Sequence, residues 1–169
     1  MTSPDKYTLF LSLIESNKGI IYKVANLYCK DPEERKDLVQ EIILQLWRSF
    51  DNYNEKYKHS TWIYKIALNV SISVYRKENR RREISYPFPE IIYNIVDAPN
   101  DIELDTNIAL LQGFISELRE LDKALVLLYL EEKSYKEISE ILGISETNVA
   151  TKISRIKALL KQKFSLLKK

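Results

Sequence analysis

The sequence predicts an all-α protein: two small helical domains joined by an acidic flexible linker, the C-terminal one containing a helix-turn-helix. Three observations carry this expectation. Apolar residues recur at helical spacing in both halves, behind capping signals. A Gly-centred turn separates a short helical run from a longer one near the C-terminus. Charge divides the chain into three: residues 1–82 hold 15 Lys/Arg against 10 Asp/Glu, residues 83–107 hold six acids and no base, and residues 108–169 hold 11 bases against eight acids.

Composition narrows the class of molecule. With 45% hydrophobic and 30% charged residues the chain has a globular balance. Its longest apolar run, Ala124–Leu130, is seven residues, far short of the roughly 20 that span a bilayer, so no membrane insertion is expected. The start, Met1 to Lys6, carries no basic stretch leading into an apolar one, and a soluble, cytoplasmic protein is expected. One cysteine (Cys29) and one histidine (His59) argue against a zinc site or a Cys–His dyad. No Gly-rich phosphate loop, paired catalytic carboxylates or nucleophile–base set is visible. The expectation is therefore no enzyme, no metal and no cofactor.

In the N-terminal part, Asp31-Pro32-Glu33-Glu34 is a helix start, with Asp31 as N-cap, Pro32 at N1 and Glu34 at N3. The helix is predicted to run to about Phe50, with Val39, Ile42, Ile43, Leu46 and Phe50 on its core stripe. Asp37, Gln40, Glu41, Leu44 and Arg48 point the other way; spacing alone fits ordinary solvent exposure and a partner surface equally. A polar loop, Asn52 to His59, carries Tyr53 and Tyr57. A second helix is predicted from Ser60 or Thr61 past Tyr75, burying Ile63, Ile66, Ala67, Val70 and Val74. Along its flank lie Trp62, Lys65, Asn69, Ser73 and Arg76. Such a stripe suits single-stranded nucleic acid, the ring stacking on bases and the cations holding phosphate; packing of Trp62 beneath the loop is the alternative.

The acidic, proline-bearing stretch 83–107 (Pro87, Pro89, Pro99) reads as the linker between basic blocks at 76–82 and 146–169. Beyond it, Ser134-Tyr135-Lys136-Glu137 is a capping box opening a short helix with Ile138, Ile141 and Leu142 inward. Gly143 is placed as a left-handed helix stop, Ile144 fills the turn, and Ser145 caps the next helix. That helix is predicted to bury Val149, Ile153, Ile156, Leu160 and Phe164. Thr147, Asn148, Thr151, Ser154 and Arg155 face outward, flanked by Lys152 and Lys157. Short hydroxyl and amide groups near a helix N-terminus can approach base edges in a major groove, while cations hold phosphates.

Two segments carry a resemblance. DLVQEIILQLWRSFDNYN (Asp37–Asn54), followed by STWIYKIALNV (Ser60–Val70), closely resembles region 2 of bacterial RNA polymerase sigma factors of the extracytoplasmic-function group. SYKEISEILGISETNVATKISRIKALL (Ser134–Leu160) is similar to sigma region 4. The resemblance implies an alternative sigma factor. Asp37, Gln40, Glu41 and the neighbouring Leu44 would engage the β′ clamp helices of core RNA polymerase. Tyr53, Thr61, Trp62, Lys65, Asn69 and Arg76 would capture the melted, single-stranded −10 element. Thr147, Asn148, Thr151, Lys152, Arg155 and Lys157 would read the −35 duplex, with the preceding helices on the polymerase β flap. Family precedent also implies an anti-sigma or other regulatory partner. His59 and Ser73 depart from the commonest residues at their positions.

The linker permits this reading. Promoter boxes two DNA turns apart lie about 70 Å from each other; some 25 residues span about 80 Å extended and about 30 Å as a relaxed coil. Two rivals remain at this point: a conventional helix-turn-helix regulator, binding duplex without polymerase, and a sigma-like adaptor that depends on another recruiting protein.

Overall fold

The computed structural model describes residues 3–53, 55–85 and 103–167, without the side chains of 3–4, 81–85 and 103–105. Most of the expected linker, with Pro87, Pro89 and Pro99, lies outside the described residues. Seven α-helices run in order among the described residues: α1 (Ser3–Tyr28), α2 (Pro32–Ser49), α3 (His59–Ser85), α4 (Glu103–Ser116), α5 (Glu120–Leu130), α6 (Tyr135–Leu142) and α7 (Glu146–Leu167). A 3-10 turn, Phe50–Asn52, follows α2, and no strand occurs among the described residues. The all-α expectation holds. Helix occupies both ends of the 83–107 stretch, since α3 continues to Ser85 and α4 begins at Glu103.

The expected caps form. Asp31 is extended (φ −74°, ψ 125°), and its carboxylate accepts from the Glu34 amide at 3.4 Å. This satisfies one of the free amides that every helix start exposes. Arg35 then reaches back, donating from Nε to the Cys29 carbonyl at 3.1 Å and from its terminal nitrogen to the Lys30 carbonyl at 3.0 Å. One guanidinium thereby fastens the α1–α2 corner. In the C-terminal half Ser134 Oγ accepts from the Glu137 amide at 3.1 Å, and Ser145 Oγ accepts from the Asn148 amide at 3.1 Å.

Helices α1, α2 and α3 surround Phe10, Leu13, Ile21, Val24, Leu38, Val39, Ile42, Leu46, Ile63 and Ala67, all buried. Leu125 and Leu128 of α5, Ile138 and Ile141 of α6, and Val149, Ile153 and Ile156 of α7 fill the C-terminal half. Each of the Val, Leu, Ile and Phe side chains among them contributes about 1.5–3 kcal/mol on burial. Phe114 of α4 meets Phe164 of α7 edge-on at 5.1 Å.

Burial along α3 corrects the single predicted stripe. Ile63 and Ala67 are fully buried, but Ile66, Val70 and Val74 are only partly so, while Tyr64, Leu68 and Ser71 are buried as well. The cause is that α3 is covered twice: α1 and α2 pack on it, and so do α5 and α6. Its buried arc is wider than one partner layer produces. Ile43 and Phe50 of the α2 region, and Leu142, Leu160 and Phe164 further on, are likewise half-buried at the margin of the core.

Candidate nucleic-acid interface

Three polar surfaces emerge. On α2, Asp37, Gln40, Glu41 and Leu44 are all exposed. Their spacing of three, one and three residues keeps them on one stripe. Leu44 retains 41% of its surface in solvent amid polar neighbours, an apolar point suited to docking.

The second surface is built where the 3-10 turn and loop meet α3. The Tyr53 hydroxyl donates to the Tyr57 carbonyl, fastening the loop onto itself. The Tyr53 ring lies 5.3 Å from His59 and 4.9 Å from Trp62, and Trp62 is 6.2 Å from Phe50. Burial, then the nearby Glu55 charge, pushes the Tyr53 phenol up, so it is neutral and able to donate at ordinary pH. Trp62 thus packs against the loop and still keeps partial exposure.

Thr61 is a correction. It is only 4% exposed, in the first turn of α3, so its side chain is not on the surface that the other members of this set share. Beyond Trp62, the residues Lys65, Asn69, Ser73 and Arg76 are all exposed. Asn69, Ile72, Ser73, Arg76, Lys77 and Arg80 line a shallow groove of about 280 Å³. Arg80 and Lys77, which stood out in the sequence only within the basic block 76–82, line the same groove as Asn69 and Arg76. The signal was present, because the 69, 73, 76 spacing continued by one more turn reaches 80.

Arg76 is not idle. Its Nε donates to Glu120 Oε1 of α5 at 2.7 Å. The Arg76 hydrogen bond holds the Glu120 carboxyl below the usual glutamate range.

The third surface is the helix-turn-helix, α6 and α7. Gly143 stops α6 in the left-handed region (φ 70°, ψ 31°), its amide donating to the Ser139 carbonyl at 2.9 Å. The Ser139 hydroxyl donates to the Ile144 carbonyl at 2.5 Å, locking the turn. Thr147, Asn148, Thr151 and Arg155 are exposed and Lys152 is half-exposed. Thr151 Oγ1 donates to the Thr147 carbonyl at 3.0 Å, which leaves the hydroxyl free to act as an acceptor. Lys157 departs from this group: its Nζ lies 4.2 Å from the Tyr129 ring of α5. Its ammonium donates to the Tyr129 hydroxyl, and that hydrogen bond raises its pKa. No group of three or more His, Cys, Asp or Glu among the described residues is arranged to hold a metal ion.

Comparison with known proteins identifies this architecture. Residues 13–81 match the family model for sigma-70 region 2, and residues 108–160 match that for sigma-70 region 4. The ECF RNA polymerase sigma factor SigM of Bacillus subtilis is 31% identical over 144 residues, covering 83% of this chain and 86% of SigM. SigW of the same organism, also an ECF RNA polymerase sigma factor, is 28% identical, covering 90% of this chain and 87% of its own. In fold, the chain is similar to the sigma factor RpoE in complex with the anti-sigma factor NepR from Bartonella quintana. The TM-score is 0.67 at 18% identity, over 95% of this chain and 97% of that one. It is also similar to CnrH in complex with the cytosolic domain of CnrY (TM-score 0.66, 18% identity, 93% and 88% covered). The chain belongs to the extracytoplasmic-function group of the sigma-70 family. Among the described residues no helix is long and apolar enough to cross a membrane.

Proposed function

We propose that this chain is an alternative sigma factor that acts in the cytoplasm, binds core RNA polymerase and directs promoter-specific initiation without bond chemistry of its own. Residues 1–82 form the domain for polymerase and the −10 element, 83–107 the acidic linker, and 108–169 the domain for the −35 element. Asp37, Gln40, Glu41 and Leu44 dock on the β′ clamp helices. Tyr53 and Trp62 provide stacking faces for melted −10 bases, and Lys65, Asn69, Arg76 and Arg80 guide the strand. The exposed stripe Thr147, Asn148, Thr151 and Arg155, flanked by Lys152, reads −35 duplex, and α4–α6 meet the β flap. An anti-sigma protein regulates the chain.

The observation that carries the reading is the aromatic pair Tyr53–Trp62 standing at the head of the exposed polar and basic line that runs along α3. Stacking rings beside a cationic track fit single-stranded DNA; a ligand-sensing domain of a conventional regulator has no need of them. The test is selection of genomic fragments by core polymerase loaded with this protein, followed by sequencing. Enrichment of fragments sharing two boxes about two turns apart supports the reading. A single palindromic box, enriched equally without polymerase, points to a conventional regulator. Polymerase binding without any enrichment points to the adaptor.

A further inference from the structure

The α5–α6 region of the C-terminal half packs against α1 and α3 through a set of contacts that DNA recognition does not require. Lys123 of α5 is 3% exposed. Its ammonium lies 3.1 Å from the Tyr75 hydroxyl, and 4.3 and 5.9 Å from the ring centroids of Tyr75 and Tyr28. All of these partners belong to the N-terminal half. Tyr28 donates from its hydroxyl to the Glu120 carbonyl at 2.5 Å, while the Glu120 carboxylate takes Arg76. Lys23 of α1 meets both carboxylate oxygens of Glu131, at 2.9 and 3.0 Å. Lys133 lies 5.5 Å from the Tyr64 ring.

We infer that α5 is a latch that closes the free chain on itself and seats the Glu120 carboxylate on Arg76, where a −10 phosphate would otherwise sit. The inference rests on the sigma reading for the role of Arg76, and on geometry alone for the closure. Two promoter boxes about 70 Å apart demand that the halves separate, whereas here they share buried contacts. The chemistry also favours reversibility. The ion pairs are partly exposed, and such pairs are weak individually. Burying the Lys123 ammonium sacrifices its hydration, which the phenol and the ring faces recover only in part. Aromatic burial closes the latch, the desolvated lysine holds its stability down, and a phosphate competes for Arg76 on the same terms as Glu120.

The test is a spin–spin distance measurement on the full chain without DNA or polymerase, with labels at Ser16→Cys and Gln162→Cys in a Cys29→Ser background. Wild type is expected to give one narrow distance band. Glu120→Arg sets two guanidinium groups against each other and should shift the closed-to-open ratio by roughly fivefold or more, the lower end for such couplings. The charge swap Arg76→Glu with Glu120→Arg should restore the band. Circular dichroism of each variant separates opening from unfolding, and Lys123→Met, which keeps the bulk without the charge, should tighten the band. A broad distribution in wild type, or a ratio indifferent to Glu120→Arg, overturns the latch. A labelled single-stranded oligonucleotide rich in adenine and thymine should bind Glu120→Gln severalfold more tightly than wild type. Equal affinity, with opening seen in the distances, overturns competition for Arg76. Absence of oligonucleotide binding in every variant, open or closed, counts instead against the −10 reading, and the distances alone then decide the latch.

Discussion

The ring of Tyr53 lies 4.9 Å from that of Trp62, tilted by 53°, so a residue of the loop and one from the first turn of α3 form a single aromatic ledge. Replacing Trp62 by alanine removes the larger face of that ledge. Stacking is worth about 1–3 kcal/mol per base, so Trp62→Ala should weaken capture of melted −10 DNA by roughly 5- to 150-fold. Trp62→Phe should retain most of it. Permanganate reactivity of promoter thymines measures opening, and duplex −35 binding by the same variant should be unchanged.

The recognition stripe and its flank should respond differently. Arg155→Ala is expected to lose about 1–3 kcal/mol of binding on its preferred −35 sequence and to relax discrimination at one position. Lys152→Ala should weaken binding evenly across sequences and lower the salt slope by about 1. Anisotropy titrations on matched and mismatched duplexes at several salt concentrations, using the holoenzyme, distinguish the two.

Gly143 has φ 70°, and a Cβ added there would meet no atom within 4 Å. The cost of Gly143→Ala is therefore conformational: about 1–2 kcal/mol for a left-handed non-glycine residue, with Gly143→Asn costing less. Urea midpoints of the C-terminal transition should follow that order.

Ser71 illustrates what the sequence could not show. Its pattern position is unremarkable, yet it is fully buried and its hydroxyl finds no hydrogen-bond partner among the described residues. A buried hydroxyl without a partner costs about 1–3 kcal/mol. Ser71→Ala is thus expected to stabilise the protein by about 1 kcal/mol or more; a lower melting temperature would contradict this account of the α3 environment.

The same double cover perturbs tyrosines. Burial, then the Glu131 charge, pushes the Tyr64 phenol up to about 12 from 10.0, and burial likewise raises Tyr28. Because the neutral phenol is favoured in the fold, this stabilisation is full below pH 10 and is lost as pH rises through about 12. Alkaline absorbance titration should separate early and late tyrosines, and Tyr64→Phe should remove one of the late group. A single step near the ordinary value would contradict the packing of α3.

Helix starts were legible from residue identity, because Asp31, Ser134 and Ser145 cap through bonds only a few residues long. The exposed α2 face and the α7 stripe were legible for the same reason: each depends on one helix and its period. Contacts between the halves were not. Nothing local marks Lys123 as buried or Glu120 as the partner of Arg76, since these contacts join residues more than forty positions apart. The burial of Thr61 was hidden for a related reason: membership of a motif does not say which members point inward, and this one is 4% exposed.

The most direct test of the central claim is run-off transcription with core RNA polymerase from the protein's own host, purified protein and genomic fragments. The account predicts discrete new transcripts whose start sites share −35 and −10 boxes, lost on Arg155→Ala and on Trp62→Ala. Polymerase that binds the protein yet starts no new transcript, or transcripts indifferent to both substitutions, would contradict it.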